Sequence, residues 1–79
     1  MSPTIIRPRN YRVIIFTNDH PPAHVHVRRA GNEARVGLEP VVLLDNYGFS
    51  SREVKQILQI VQDNQTALLT SWDSIHPSR

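Results

Sequence analysis

The apolar residues of this chain follow two different spacings, and the change between them falls near residue 50. Before that point, short runs of β-branched and aromatic residues alternate with turn residues, a pattern typical of β-strands. After it, apolar residues recur at intervals of three and four, which is typical of an amphipathic helix. A run of strands followed by a helical segment predicts an α+β fold in a single domain, residues 1–79.

Four strands are predicted in the first forty residues, near 4–7, 11–17, 23–29 and 33–39. The second is apolar at consecutive positions, so it should lie inside the sheet with both faces covered. The third and fourth are joined by Ala30-Gly31-Asn32, which fits a hairpin loop. Pro40 should end the fourth strand or bend it into the apolar stretch 41–44. The pattern predicts an antiparallel meander of three or four strands.

The helical part has a well-marked start. Ser50 and Glu53 match a capping box, in which the serine hydroxyl accepts from a helical N–H and the glutamate reaches back to the serine N–H. Phe49 and Val54 occupy the two positions of a hydrophobic staple around that cap. A helix should therefore begin near residue 51.

The length of this helical segment leaves two arrangements open. A single helix over 51–75 is compatible with the apolar pattern, because no glycine or proline interrupts it. Such a helix would be much longer than a strand of six or seven residues. We therefore favour a bend or break at 62–64, within the wholly polar stretch 62–65, where Asp63 or Asn64 would cap the second part.

The helical segment is expected to cover one face of the sheet. His24, His26 and Arg28 alternate with apolar residues along the third strand, so they should lie on the opposite, open face. The expected core joins strand and helix residues: Val25, Val27, Val36, Leu38, Val54, Ile57, Leu58, Val61, Leu68 and Trp72.

Composition excludes several kinds of protein. The chain has no cysteine, so neither disulfides nor thiolate metal ligands can support it. No apolar run reaches the length of a signal peptide or a membrane span. We expect a soluble cytoplasmic protein with no membrane partner, whose modest core reflects its small size.

Charge is distributed unevenly along the chain. Residues 1–35 carry six arginines against two carboxylates, a net charge of +4, whereas residues 36–79 carry three basic against five acidic side chains, a net charge of −2. An arginine-rich half favours an acidic partner, either nucleic acid or protein. A solvated arginine-rich face is the alternative. Tyr11 and Tyr47 are candidates for stacking on bases.

The segment DHPPAHVHV, residues 19–27, holds three of the four histidines. His24 and His26 should project side by side, about 6–7 Å apart, with Asp19 and His20 before them across a proline-stiffened corner. Three ring nitrogens and a carboxylate oxygen would suit Zn²⁺, Ni²⁺ or non-haem iron. The other interpretations are a polar surface or interface, and acid–base chemistry or phosphate binding by the imidazoles. We expect no cofactor, with a divalent metal held by His20, His24 and His26 as the alternative.

Two arginines extend this segment into a predicted binding surface. Arg28 shares the histidine face, and Arg35 on the next strand joins it if the register pairs the two strands in that way. A cross-strand ion pair with Glu33 or Glu39 is the alternative role for the arginines. The predicted binding residues are Asp19, His20, His24, His26, Arg28 and Arg35.

Three stretches carry a resemblance to known proteins: YRVIIFTNDHPPAHVHVRRAGNEARVGLEPV, then YGFSSREVKQIL, then LLTSWD. They are similar to a family of small bacterial proteins, the domain of unknown function family 4160, over roughly residues 3–75. The most specific part is a D-H-x-P-P-H-V-H-V type signature, followed by GNEA and a G-F-S-x-R-E helix start. Members usually have proline just before the second histidine, where this chain has Ala23. The aspartate and the three histidines of the signature remain in place.

The resemblance implies something about the genes that lie beside members of the family. It implies no particular chemistry. Members are often encoded beside another small protein in a pairing that looks like a toxin–antitoxin module, which implies a partner protein from a neighbouring gene. Because the predicted histidine–arginine face of the sheet is open and basic, we expect a binding module that engages this partner protein and also RNA or DNA. The alternative is a small ribonuclease-like or metal-dependent hydrolase using His20, His24 and His26. A homodimer formed through an edge strand is a third interpretation.

Overall fold

The computed structural model describes residues 4–76, which form five strands and two α-helices. A short 3-10 turn, Pro8–Asn10, connects the first two strands. The strands are β1 (Thr4–Ile6), β2 (Arg12–Ile15), β3 (His24–Arg29), β4 (Asn32–Leu38) and β5 (Val41–Tyr47), and the helices are α1 (Ser51–Asp63) and α2 (Gln65–Ile75).

The strands form one antiparallel sheet in the order β1-β2-β3-β4-β5, so each strand pairs with its neighbours in the chain. Both helices contribute to a single core on one face of that sheet. The predicted α+β fold, an antiparallel sheet covered by a C-terminal helical segment, is confirmed. The sheet has one strand more than the three or four that the sequence predicted.

The additional strand is β5, and a β-bulge explains why its pattern was difficult to recognise. Val36 lies opposite Leu43 and Arg35 lies opposite Asp45, so Leu44 is an extra residue in the ladder. The insertion interrupts the alternation of apolar and polar positions on which strand prediction depends. The strand begins directly after Pro40, where only an apolar stretch was expected.

The hairpin between β3 and β4 sets the register of these two strands. Ala30 and Gly31 are its two loop residues, and both have positive φ angles, 51° and 82°. Two left-handed residues are characteristic of the type I′ turn, whose twist matches that of the flanking strands. Arg29 therefore pairs with Asn32, and every pair farther from the loop follows from that one.

The core contains the residues predicted from the sequence. Eight of the ten are buried in one cluster, and the other two, Val54 and Leu58, pack against it. Tyr11 also belongs to this cluster, because its side chain is fully buried and its hydroxyl donates to Oε1 of Gln56 at 2.9 Å. The suggestion that Tyr11 stacks on nucleic-acid bases is therefore wrong, since its ring is inaccessible.

The helical segment begins and divides close to where the sequence indicated. The capping box is present: Ser50 Oγ accepts from the N–H of Glu53 at 3.2 Å, and the Glu53 carboxylate accepts from the Ser50 N–H at 2.9 Å. The break falls at Asn64, within the predicted range. Its side-chain amide donates to the Ile60 carbonyl at 2.8 Å, so it caps the end of α1 and not the start of α2. Neither helix is long and apolar enough to cross a membrane.

The face of the sheet opposite the helices is called the outer face below. Directly opposed residues on antiparallel strands share a face, so the register identifies its members. They form three cross-strand rows: Ile5, Ile14, His26, Arg35 and Asp45; Arg12, Arg28, Glu33 and Tyr47; and His24, Gly37 and Val42.

Candidate functional site

The candidate site lies at one end of the outer face, where the loop between β2 and β3 folds back over β3. Asp19 is fixed in that loop by two contacts with Phe16: its N–H donates to the Phe16 carbonyl, and its carboxylate accepts from the Phe16 N–H, both at 3.3 Å. This local turn holds the aspartate close to the strand. Its carboxylate therefore meets the two histidines that alternate along β3.

Asp19, His24 and His26 form a compact group, called the Asp–His cluster below. The Nε2 atom of His26 lies 3.3 Å from Oδ1 of Asp19, and the Nε2 atom of His24 lies 3.7 Å from Oδ2. The three candidate ligand atoms lie within 4.8 Å of one another. Both histidines thus direct the same ring nitrogen toward one carboxylate.

The other nitrogen of each ring also has a partner. His24 Nδ1 donates to the carbonyl oxygen of Pro22 at 2.9 Å, and a carbonyl can only accept, so this nitrogen carries the proton. His26 Nδ1 lies 3.3 Å from the carboxylate of Glu33. Both rings are therefore held at two points, which fixes their orientation.

The histidine end of the outer face is not open, contrary to the sequence-based expectation. His24 is only 7% exposed, and the His26 and Asp19 side chains are each 14% exposed. Alternation along β3 correctly predicted the face, but it could not show that the β2–β3 loop covers it. The Trp72 ring on α2 also approaches His24, with 5.4 Å between ring centroids.

His20 is separate from the Asp–His cluster. It is exposed and lines the same cavity, but it makes no hydrogen bond or ion pair with any residue that the structure describes. The predicted trio of histidines is therefore a pair of histidines with an aspartate. His76, the remaining histidine, stacks on Trp72 with 4.0 Å between centroids and does not reach the cluster.

A cavity of about 340 Å³ adjoins the cluster and opens to solvent. The proline corner forms one side of it, and Arg35 and Leu44 from the next two strands form another. A small ligand or water could therefore reach the cluster from this side. The lining residues are Asn18, Asp19, His20, Pro21, Pro22, His24, His26, Arg35 and Leu44.

Both predicted arginines lie on the outer face, and each forms an ion pair with a carboxylate there. Arg28 donates to Glu33 at 2.7 Å, as the cross-strand alternative predicted. Arg35 stands opposite His26 but pairs with Asp45 on β5, not with Glu33 or Glu39. Asp45 was not considered as a partner because β5 itself was not predicted.

Glu33 connects this ion pairing to the cluster. Burial alone would raise the pKa of its carboxyl, but the hydrogen bonds and charges of Arg28 and His26 outweigh burial and leave the pKa below its ordinary value. Glu33 is therefore a carboxylate near neutral pH. The edge of the Phe16 ring packs on His26 with 4.8 Å between centroids, and the Arg28 guanidinium lies 5.2 Å from the same ring.

The roles of Glu33 and Phe16 beside the histidines were not predicted. A signal for Glu33 was present, because counting back from the two-residue hairpin loop places it opposite Arg28, one position along the face from His26. For Phe16 the sequence shows only an apolar residue at a strand end. Tyr47 does stand on the outer face, 64% exposed.

Chemically, the cluster offers two imidazole nitrogens and a carboxylate around one point. Such a group can share protons among its members, or it can hold a divalent cation. The chain is an α+β domain that carries this cluster on one face of its antiparallel sheet. A family model described as "Domain of unknown function (DUF4160)" matches residues 10–73, and the chain belongs to that family. No curated protein and no solved structure matches the chain.

Proposed function

We propose that this protein is a cytoplasmic binding module, one member of a toxin–antitoxin-like pair, that engages its partner protein through β5 and the adjoining outer face. One observation carries the proposal. Among the described residues, three of the four exposed large apolar side chains, Val42, Leu44 and Tyr47, lie on this seven-residue strand.

These side chains lie at an edge of the sheet. Among the described residues, β5 pairs with β4 alone, so one side of its backbone has no neighbouring strand. Edge strands are usually protected by charges, prolines or a covering segment, because unpaired backbone groups recruit other chains. β5 contains a bulge and Asp45, but it still exposes Val42 by 45%, Leu44 by 43% and Tyr47 by 64%. An apolar edge of this kind is typical of a site where another protein docks or adds a strand.

The charges on the outer face favour a protein over nucleic acid as the partner. Arg28 and Arg35, the two arginines that would contact phosphates, are already paired with Glu33 and Asp45. Only Arg12 adds a cation without an ion pair among the described residues of this face. A nucleic-acid surface needs several cations free to replace counterions. The centre of the face is instead a set of matched charges flanked by apolar side chains.

Co-expression with the product of the neighbouring gene tests the proposal. We expect the two proteins to purify as a complex, and Tyr47→Asp and Leu44→Asp to weaken it at least about tenfold by placing a charge in an apolar contact. Thr66→Asp is the matched control, since it adds the same charge on the exposed side of α2. It should leave the affinity unchanged.

Three outcomes would contradict the proposal. One is equal binding by the parent chain and both β5 variants. Another is a dimer of the chain alone that the same variants dissociate, which would identify a second copy as the occupant of β5. The last is oligonucleotide binding that weakens steeply with salt and is insensitive to the β5 variants.

A further inference from the structure

The Asp–His cluster has more hydrogen-bond acceptors than its neutral rings can satisfy. A neutral imidazole carries one N–H and one lone pair. The proton of His24 is committed to the Pro22 carbonyl, and Nδ1 of His26 faces the Glu33 carboxylate. The remaining nitrogen of each ring, Nε2, then presents a lone pair to the lone pairs of Asp19. A cation placed between these atoms would pair with all of these lone pairs.

We propose that Asp19, His24 and His26 are the ligands of one divalent transition-metal ion, Zn²⁺ being the ion that this donor set suits best. Two imidazole nitrogens and a carboxylate oxygen are ligands that zinc takes readily in proteins. The site lies within the chain and does not depend on the proposed partner protein.

The spacing of the donor atoms fits this ion. Metal–ligand bonds of 2.0–2.2 Å in tetrahedral geometry place neighbouring ligand atoms about 3.3 Å apart. The Nε2 atoms of His26 and His24 lie 3.3 Å and 3.7 Å from the two different oxygens of the Asp19 carboxylate, and one ligand atom from each residue lies within 4.8 Å of the others. A small rotation of the His24 ring or the Asp19 carboxylate would bring all three donors into range. The three ligands would leave the fourth position facing the cavity, where a water molecule can enter.

The surroundings of the rings support the same assignment. Histidine ligands in metal sites usually donate their other N–H to a carbonyl or carboxylate, which orients the ring and makes the ligating nitrogen more basic. The Pro22 carbonyl serves His24 in this way, and Glu33 serves His26. Glu33 is in turn held by Arg28, so it acts as a positioning residue for the ligand.

A proton is the alternative occupant of this position. An imidazolium at His26 would donate to both Asp19 and Glu33, because its two nitrogens each lie 3.3 Å from one of these carboxylates. That arrangement leaves Nε2 of His24, 3.7 Å from Asp19, outside the group. One metal cation would instead bind the ring nitrogens of both histidines and the carboxylate together.

Zinc titration of the full chain, prepared without a histidine tag and freed of metal by a chelator, tests the assignment. Calorimetry should give one Zn²⁺ per chain. Long-range nitrogen NMR should show both rings protonated at Nδ1, with Nε2 of His24 and His26 shifting when zinc is added. Asp19→Asn and His26→Ala should each weaken binding by about 100-fold or more, and Glu33→Gln by about tenfold.

Controls separate a ligand role from a structural one. His20→Ala removes the histidine that lines the same cavity without joining the cluster, and it should bind zinc as tightly as the parent chain. Asp19→Asn keeps the size of the side chain, and its circular dichroism should match that of the parent, so its loss of zinc affinity would report ligation. In the presence of zinc, unshifted Nε2 signals, or a proton on Nε2 of either ring, would overturn the assignment. So would a loss of affinity in His20→Ala equal to that in His26→Ala.

Discussion

At the scale of single residues, Glu53 shows how one side chain connects two parts of the fold. Its carboxylate accepts from the Ser50 N–H at 2.9 Å and from the Arg29 guanidinium, also at 2.9 Å. Arg29 in turn lies 3.8 Å above the ring of Tyr11. The start of α1 is thereby tied to β3 and to a fully buried tyrosine. Arg29 is thus a structural residue, and its charge is not available to an acidic partner.

Ser50→Ala should lower the free energy of unfolding by about 0.5–2 kcal/mol, because the Glu53 N–H loses the hydroxyl that accepts from it. Ser51→Ala is the control, since Ser51 is exposed and its hydroxyl makes no hydrogen bond within residues 4–76. It should change stability by no more than about 0.5 kcal/mol. Chemical denaturation of the two variants checks the prediction, and equal losses would contradict it.

The Glu53 carboxylate should also make stability depend on pH. The Ser50 backbone N–H and the Arg29 guanidinium hold the pKa of this carboxyl below its ordinary value of 4.5. The folded chain therefore binds this proton less readily than the unfolded chain. The resulting stabilisation is complete above that ordinary value and is lost as the pH falls through the lower, folded-state pKa.

Glu53→Gln isolates this contribution, because glutamine can keep the capping box while losing the charge. The parent chain should be the more stable of the two near neutral pH, and the difference should shrink on acidification below the ordinary pKa of 4.5. Unfolding measured along a pH series provides the check. The effect should also be smaller when Arg29 is already glutamine. A difference that stays constant with pH would contradict the account.

Sequence reasoning succeeded at residues whose partners are close in the chain. The capping box spans four residues and was predicted completely. His24 and His26 were correctly placed on one face, because alternation in a strand is also a local property. The choice of Asp19 over His20 as their companion depends on a loop conformation, and the burial of His24 depends on Trp72, which is 48 positions away. No pattern in the neighbouring sequence indicates either contact.

At the scale of elements, two glycines occupy turns that other residues would strain. Gly31 has φ +82° in the β3–β4 hairpin, and a Cβ built there would meet no atom within 4 Å. Gly48 has φ +107° between β5 and α1, and its Cβ would lie 2.3 Å from the side-chain oxygen of Asn32. The first position is restricted by backbone geometry alone, whereas the second is restricted by close packing as well.

Replacement by alanine should distinguish these two turns. Gly31→Ala should cost about 1–2 kcal/mol, the price of a left-handed backbone for a residue with a Cβ. Gly48→Ala should cost more, because Asn32 must also move. Thermal or chemical unfolding of both variants measures the difference. Equal destabilisation would show that Asn32 moves aside without cost.

The elements also show where sequence patterns lose information. Four strands and the first helix were recognisable within a few residues of their observed ends, because their periods are unbroken. β5 was not, because Leu44 shifts the alternation by one position. The polar stretch predicted the break between α1 and α2. It did not predict that the Asn64 side chain donates back to α1, at the Ile60 carbonyl, and makes no cap for α2.

At the scale of the whole molecule, folding cancels much of the charge asymmetry that the sequence shows. Three arginines of the basic half find carboxylates in the structure: Arg28 pairs with Glu33, Arg29 with Glu53, and Arg35 with Asp45. Two of these carboxylates come from the acidic half of the chain. The basic composition therefore does not produce a broad basic surface. What distinguishes the outer face is its apolar edge and the Asp–His cluster.

The most direct test of this account is a map of the residues that respond when the proposed partner protein is added. Amide signals of the isotope-labelled chain should be followed by NMR while the neighbouring gene's product is added. We predict that the largest changes fall on β5, at Val42, Leu44 and Tyr47, and extend across the outer face toward His26, while the exposed sides of α1 and α2 change little. Changes centred on the helices, with β5 unaffected, would contradict the claim that the outer face is the functional surface.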